Sequence, residues 1–160
     1  MPNPEIVFLK KRKLVGINIE TSFGEDRTAE LWSSFMPRKK EIENRVGNEL
    51  ISLQHYPADF DFQPQTKFTK WALVKVSNFD SVPEGMKTFE LPEGLYATYL
   101  HKGTAREFQS NIIEIYTKWL PASKYELDDR PHFEVLGKNY KGYNAPDSEE
   151  EVWIPVREKE

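Results

Sequence analysis

The chain has no cysteine. That excludes disulfides, thiolate nucleophiles and zinc sites built on sulfur. Long apolar runs are also missing. The opening "MPNPEIVFLKKRKLVG" has neither an extended apolar core nor a small-residue cleavage site, so no secretory signal and no membrane-spanning segment is expected, and a cytoplasmic location is the default. Charge of one sign is scarce. Lys and Arg number 22 against 26 Asp and Glu, a net −4, which argues against direct nucleic-acid binding, because phosphate recognition needs a concentrated basic face. The one basic run, Lys10 to Lys13, reads as a solvated turn or edge. His55, His101 and His132 have no partner at ligand spacing, so no metal and no other cofactor is expected. There is no Gly-x-Ser-x-Gly elbow and no glycine-rich phosphate loop. "HKGT" reads as a turn with a cap.

Aromatic residues, by contrast, are plentiful at 13% of 160 residues. With so little net charge, that composition predicts a folded chain and one domain over 1–160, large enough to bury a core.

The punctuation divides this domain into pseudo-repeats over about 1–80 and 81–160. "EIVFLKKRKLVGINIE" predicts a long strand or a bent pair. "SFGEDRTAELWSSFM" predicts a helix with Leu31, Trp32 and Phe35 on one stripe, ended or kinked by Pro37. "PRKKEIENRV" predicts a second short helical piece. Strands follow in "NELISLQHY" and "TKFTKWALVKV", with "PADFDFQPQ" as the loop between them. The second half starts with the strand "KTFELPEGLYATYLHKG", broken at Pro92–Gly94. The next helix, "TAREFQSNIIEIYTKWL", has Thr104 as N-cap and Phe108, Ile112, Ile115 and Trp119 on one side. "RPHFEVL" and "EEVWIPV" are the last strands. Each half thus reads strand, helix, strand, strand, an α+β pattern. Two such halves side by side leave a groove along their seam, open on the faces the helices leave bare, and seams of this kind are favoured ligand sites.

Alternation places side chains on this scaffold. A strand changes face at each residue, so Glu151 and Trp153 lie opposite Val152, Ile154 and Val156. Glu134 lies opposite Phe133 and Val135. Trp71 lies opposite Ala72, Val74 and Val76, where it would line the groove. Trp32 would plug one end. Tyr56 and Phe108 are further aromatic candidates.

"LPEGLYATYLHKG", "IYTKWLPASKYEL", "RPHFEV" and "EEEVWIPV", in that order, resemble the GyrI-like effector-binding domain family, the ligand-sensing module joined to many AraC- and MerR-type bacterial regulators and also found alone. The resemblance covers about Val76 to Val156 and is fainter before it, in "ELWSSF" and "SVPEGM". It implies duplicated βαββ units in a pseudo-twofold antiparallel sheet, with helices on one face and a central ligand groove. It also implies two carboxylates near the pocket floor, which fall on Glu134 and Glu151, with Leu136 and Trp153 as their strand neighbours. The family often has tyrosine where this chain has Leu136, so the floor here is expected to be more apolar. With no room for a helix-turn-helix before residue 5 or after 157, the stretch itself is not expected to be a one-component regulator.

Two carboxylates in one apolar pocket resist joint ionisation, and a cationic guest relieves both. Flat rings around them suit delocalised organic cations. The expected function is therefore small-molecule binding, for sensing or sequestration of a hydrophobic aromatic ligand, with cationic ones favoured. The expected ligand residues are Glu134, Glu151, Trp153, Leu136, Trp71, Tyr56, Trp32 and Phe108. The resemblance also implies an alternative, because some stand-alone members of the family resemble hydrolases that open cyclopropane-bearing genotoxins; Glu151 would then activate the water, and a ligand-binding and a catalytic glutamate look alike in sequence. A protein partner, a regulator or a gyrase that the domain inhibits, is a third reading, for which the sequence has no distinguishing residues.

Overall fold

The computed structural model describes residues 2–160. Nine strands and two principal helices build it: β1 (Glu5–Leu9), β2 (Arg12–Thr21), α1 (Thr28–Phe35), β3 (Leu50–His55), β4 (Phe68–Lys75), β5 (Lys87–Leu91), β6 (Gly94–Lys102), α2 (Ala105–Glu114), β7 (Tyr125–Leu127), β8 (His132–Leu136) and β9 (Glu149–Glu158). All the pairings are antiparallel. The sheet order is β1-β6-β9-β8-β3-β4-β2-β5, and β7 joins the far end of β9.

That order is symmetric about the β8–β3 seam. Each half contributes strand, helix, strand, strand, as the sequence pattern implies. The edge strands are exchanged: β1 leaves the first half to pair with β6, and β5 leaves the second to pair with β2. The chain bends sharply at Lys10–Lys11 and at Pro92–Glu93, so "EIVFLKKRKLVGINIE" is a bent pair. At Gly16, β2 pairs with both Leu73 of β4 and Lys87 of β5. A Cβ there would sit 1.8 Å from the Ala72 carbonyl oxygen, so only glycine permits the close approach.

Both helices lie on one side of the sheet. α1 and its strands bury Val15, Leu31, Phe35, Ala72, Val74 and Val76. α2 and its strands bury Ala97, Tyr99, Ile115, Val152, Ile154 and Val156. The reverse side is not left to solvent. The sheet curls over it, gathering Leu9, Leu14, Leu53, Trp71, Leu91, Tyr96 and Phe133 into a third core. Trp153 packs there, flat on Phe133.

Local signals explain the helix ends. Thr104 caps α2, its hydroxyl accepting from the Glu107 amide, and Glu107 reaches back to the Thr104 amide, a reciprocal cap that satisfies two otherwise free donors. α1 starts without a side-chain cap but carries an Arg27–Glu30 pair. "PRKKEIENRV" forms only a 3-10 segment, Met36–Glu41. After Glu114 the second helix widens into a π turn, Ile115–Trp119. β7 has no counterpart in the sequence reading.

Candidate functional site

Over the seam, between α2 on one side and the turn before α1 with the β3–β4 loop on the other, lies a cavity of about 770 Å³, within the range that holds drug-sized ligands. It opens on the helix side of the sheet, not on the bare side expected from the pattern, because the curl closes the other side into a core.

The ladders dictate its floor. Glu134 pairs with Val152 on one side and Ser52 on the other, while Gln54 pairs with His132 and Lys70. Partners in register share a face, so Glu134, His132, Gln54, Lys70 and Val152 all rise toward the helices. Phe108, Ile112 and Tyr116 form the α2 wall. Their i, i+4, i+8 spacing sets them along one helix face, and Tyr116 lies where α2 runs on into the π turn. The opposite wall comes from the β3–β4 loop and the turn before α1. Tyr56 stacks on Phe60 at 4.5 Å and meets Phe68 at 4.9 Å and His132 at 5.0 Å. Phe62 reaches across to Tyr116, with centroids 6.2 Å apart.

Glu134 is the polar centre. It accepts a hydrogen bond from Gln54 Nε2 at 3.1 Å, and no cation lies within 4.0 Å of it among the described residues. Burial pushes its carboxyl up to about 7, Lys70 pulls it down, and Glu150 adds to the rise. His132 lies beside it. Burial holds its imidazole down to about 3, with Arg130 acting the same way, so the ring is neutral and shares a hydrogen bond with the Tyr116 hydroxyl at 3.3 Å. Burial raises the Tyr56 and Tyr116 hydroxyls too, leaving them neutral hydrogen-bonding groups.

The eight residues singled out from sequence divide. Glu134, Tyr56, Phe108 and Trp153 touch the cavity, although the Trp153 ring belongs to the reverse core. Glu151 does not reach it. It pairs with Val135 across the ladder and accepts from Trp153 Nε1 at 3.0 Å on the reverse side. Trp71 is buried in the reverse core. Leu136 shares the Glu134 face but pairs with Leu50, away from the opening. Trp32 packs under α1 against Phe35. Unforeseen residues take the vacated places: Gln54, Lys70, Tyr116, His132 and Phe62.

A family model described as the GyrI-like small molecule binding domain matches residues 2–157. The chain belongs to that family. Among GyrI-like relatives, it is 30% identical over 146 residues to the transcriptional regulator BrlR of Pseudomonas aeruginosa, covering 89% of this chain and 51% of BrlR. The chain thus spans about half the length of that curated relative. Solved structures share the fold. SAV2435 bound to tetraphenylphosphonium superposes with a TM-score of 0.67 at 16% identity, covering 97% of this chain and 94% of that one. A hydrolase encoded by lin2189 of Listeria innocua gives 0.64 at 15%, covering 96% and 91%. No helix among the described residues is long and apolar enough to cross a membrane.

Proposed function

We propose that this GyrI-like domain binds a hydrophobic aromatic ligand with a cationic centre in the cavity between α2 and the β3–β4 loop, with Glu134 as the counter-charge. The observation that carries the reading is Glu134 itself: a carboxylate at the floor of an aromatic-walled cavity, held by one amide and no cation within 4.0 Å among the described residues. Charge in such a place is costly unless paired. A guest cation would pair it, and Tyr56, Phe108 and Tyr116 would offer ring faces to the rest of the molecule. The shared fold with the tetraphenylphosphonium complex of SAV2435 adds support. The likeness to BrlR suits sensing on behalf of a regulator; sequestration needs no partner.

Tetraphenylphosphonium itself is a direct probe. Calorimetric titration of the wild type should show one saturable site, and Glu134→Gln should weaken it at least about tenfold, since a lost charged contact costs roughly 1.5–3 kcal/mol. Unchanged affinity in a folded Glu134→Gln protein would remove Glu134 from the site.

A second reading is hydrolysis of a strained electrophile. A carboxyl raised to about 7 suits a general base at neutral pH, and one relative by fold is named a hydrolase. Here the water-activating role moves from Glu151 to Glu134. Incubation with a cyclopropane-bearing alkylator, followed by mass spectrometry, tests it; consumption equal to the buffer control across several such compounds leaves binding alone.

A further inference from the structure

Lys70 is an odd residue to find in a cation-binding cavity. It lies half-buried on β4, on the floor, and its Nζ donates to Thr28 Oγ1 at 2.9 Å. No carboxylate lies within 4.0 Å of it among the described residues. Asp26 connects to it only through the Thr28 hydroxyl, which donates to Asp26 Oδ1. The ladders fix where the ammonium stem stands. β3 runs between β8 and β4, so Glu134 and Lys70 flank it from opposite sides, with backbones on the order of 10 Å apart. Gln54 pairs with Lys70 in the β3–β4 ladder and donates to Glu134, filling the space between them.

The charged residues lining the cavity are therefore balanced: Asp26 and Glu134 against Lys70 and Arg106. A pure monocation seated on Glu134 would feel repulsion from Lys70. A guest with a second, negative group directed at β4 would turn that repulsion into attraction.

Building on the cavity reading above, we infer that Lys70 is a second recognition point, and that the preferred guest is a zwitterionic amphipath whose cationic centre meets Glu134 and whose carboxylate or similar anion meets the Lys70 ammonium. The aromatic body spans between them, over Gln54 and against the Phe108–Tyr116 wall. Lys70 then sets specificity: it penalises simple lipophilic cations and admits their acid-bearing counterparts.

Rhodamine B and its ethyl ester form a matched pair of probes, since both carry the same delocalised cation and only the first has a free carboxylate. Fluorescence anisotropy titrations at pH 8 should show the wild type binding the acid about fivefold or more tighter than the ester, the scale of a partly screened ion pair. Lys70→Gln keeps a donor for Thr28 and should abolish or reverse that preference, with the ester bound more tightly than by the wild type. Lys70→Arg should restore the preference for the acid. If the ester binds the wild type as tightly as the acid, or if Lys70→Gln lowers stability without changing the acid-to-ester ratio, Lys70 merely braces α1 and the inference fails while the cavity reading stands. If the folded protein binds neither dye, both fail.

Discussion

Glu134 and Glu151 point to opposite sides of the sheet, because the β8–β9 ladder pairs Glu134 with Val152 and Val135 with Glu151. A one-residue difference in phase decides which carboxylate meets the cavity. The two should behave differently on substitution. Glu151→Gln should leave tetraphenylphosphonium affinity within about twofold of wild type, because its oxygen bonds Trp153 in the reverse core, whereas Glu134→Gln should cost about tenfold or more. Parallel calorimetric titrations check this; a large loss in the Glu151 variant alone would reassign the counter-charge.

How far the sequence reveals this site depends on which contacts are local. Val152, Ile154 and Val156 alternate with Glu151 and Trp153, so the two faces of β9 are legible, and so are those of β8 in "HFEV". The phase of one strand against the other is a long-range property, and no local pattern encodes it. Trp71 illustrates a second barrier. With one face buried, the face opposite Ala72 and Val74 would be free to line a groove. Here both faces are buried, because the exchanged strands β1 and β5 draw the sheet into a curl, and Lys70, polar and unassuming in "FTKWAL", is the residue on the cavity side. Tyr116 lies at helical spacing from Phe108 and Ile112, on one edge of the stripe that Ile115 and Trp119 continue, and which edge faces the cavity is again set by tertiary packing. The helices, the Thr104 cap and the strand grammar depend on neighbours in sequence, and these were readable.

Proton linkage gives a second test. The Glu134 carboxyl is raised to about 7 by burial, and a bound cation favours its ionised form. Cation affinity should therefore be full above about pH 8 and fall as pH drops through 7. Near pH 6.5, binding should release protons, visible as a dependence of calorimetric heat on buffer ionisation enthalpy. Flat affinity between pH 5.5 and 8 would show that the bound cation does not meet this carboxylate.

The same shift acts on stability. An acid whose folded pKa lies above its unfolded value binds its proton more tightly when folded, so its contribution is intact below the unfolded pKa and declines as pH rises toward 7. Glu134→Gln removes that penalty. The ligand-free variant should be more stable than wild type at pH 8, by about 1–2 kcal/mol after allowing for partial exposure, and equal to it at pH 4.5. Thermal melts at the two pH values decide it; equal melting temperatures at pH 8 would mean the carboxylate is well solvated.

His132 stands beside that carboxyl without sharing its proton. Burial, with Arg130 acting the same way, holds the imidazole down to about 3, so it stays neutral and leaves the cavity no fixed positive charge from β8. Its ring protons should show no titration by NMR between pH 5 and 8. A midpoint in that interval would make the floor cationic in acid and would add a second cause for any loss of cation affinity there.

Phe62 closes the cavity from the β3–β4 loop at a cost in backbone. Its φ is +58°, in the left-handed region, where a residue with a Cβ is strained by about 1 kcal/mol or more. Its ring is partly exposed, meets Tyr56 at 5.3 Å and reaches toward Tyr116. Two substitutions separate backbone from ring. Phe62→Ala loses the ring and keeps the strain; Phe62→Gly loses the ring and relieves it. Both should release a bound dye several-fold faster, since each opens the roof, while the glycine variant should melt at the higher temperature of the two. Stopped-flow dissociation and thermal melts measure the two effects independently. Unchanged release rates in both variants would mean the guest enters and leaves without passing Phe62, along the Arg106 and Gln109 side of α2.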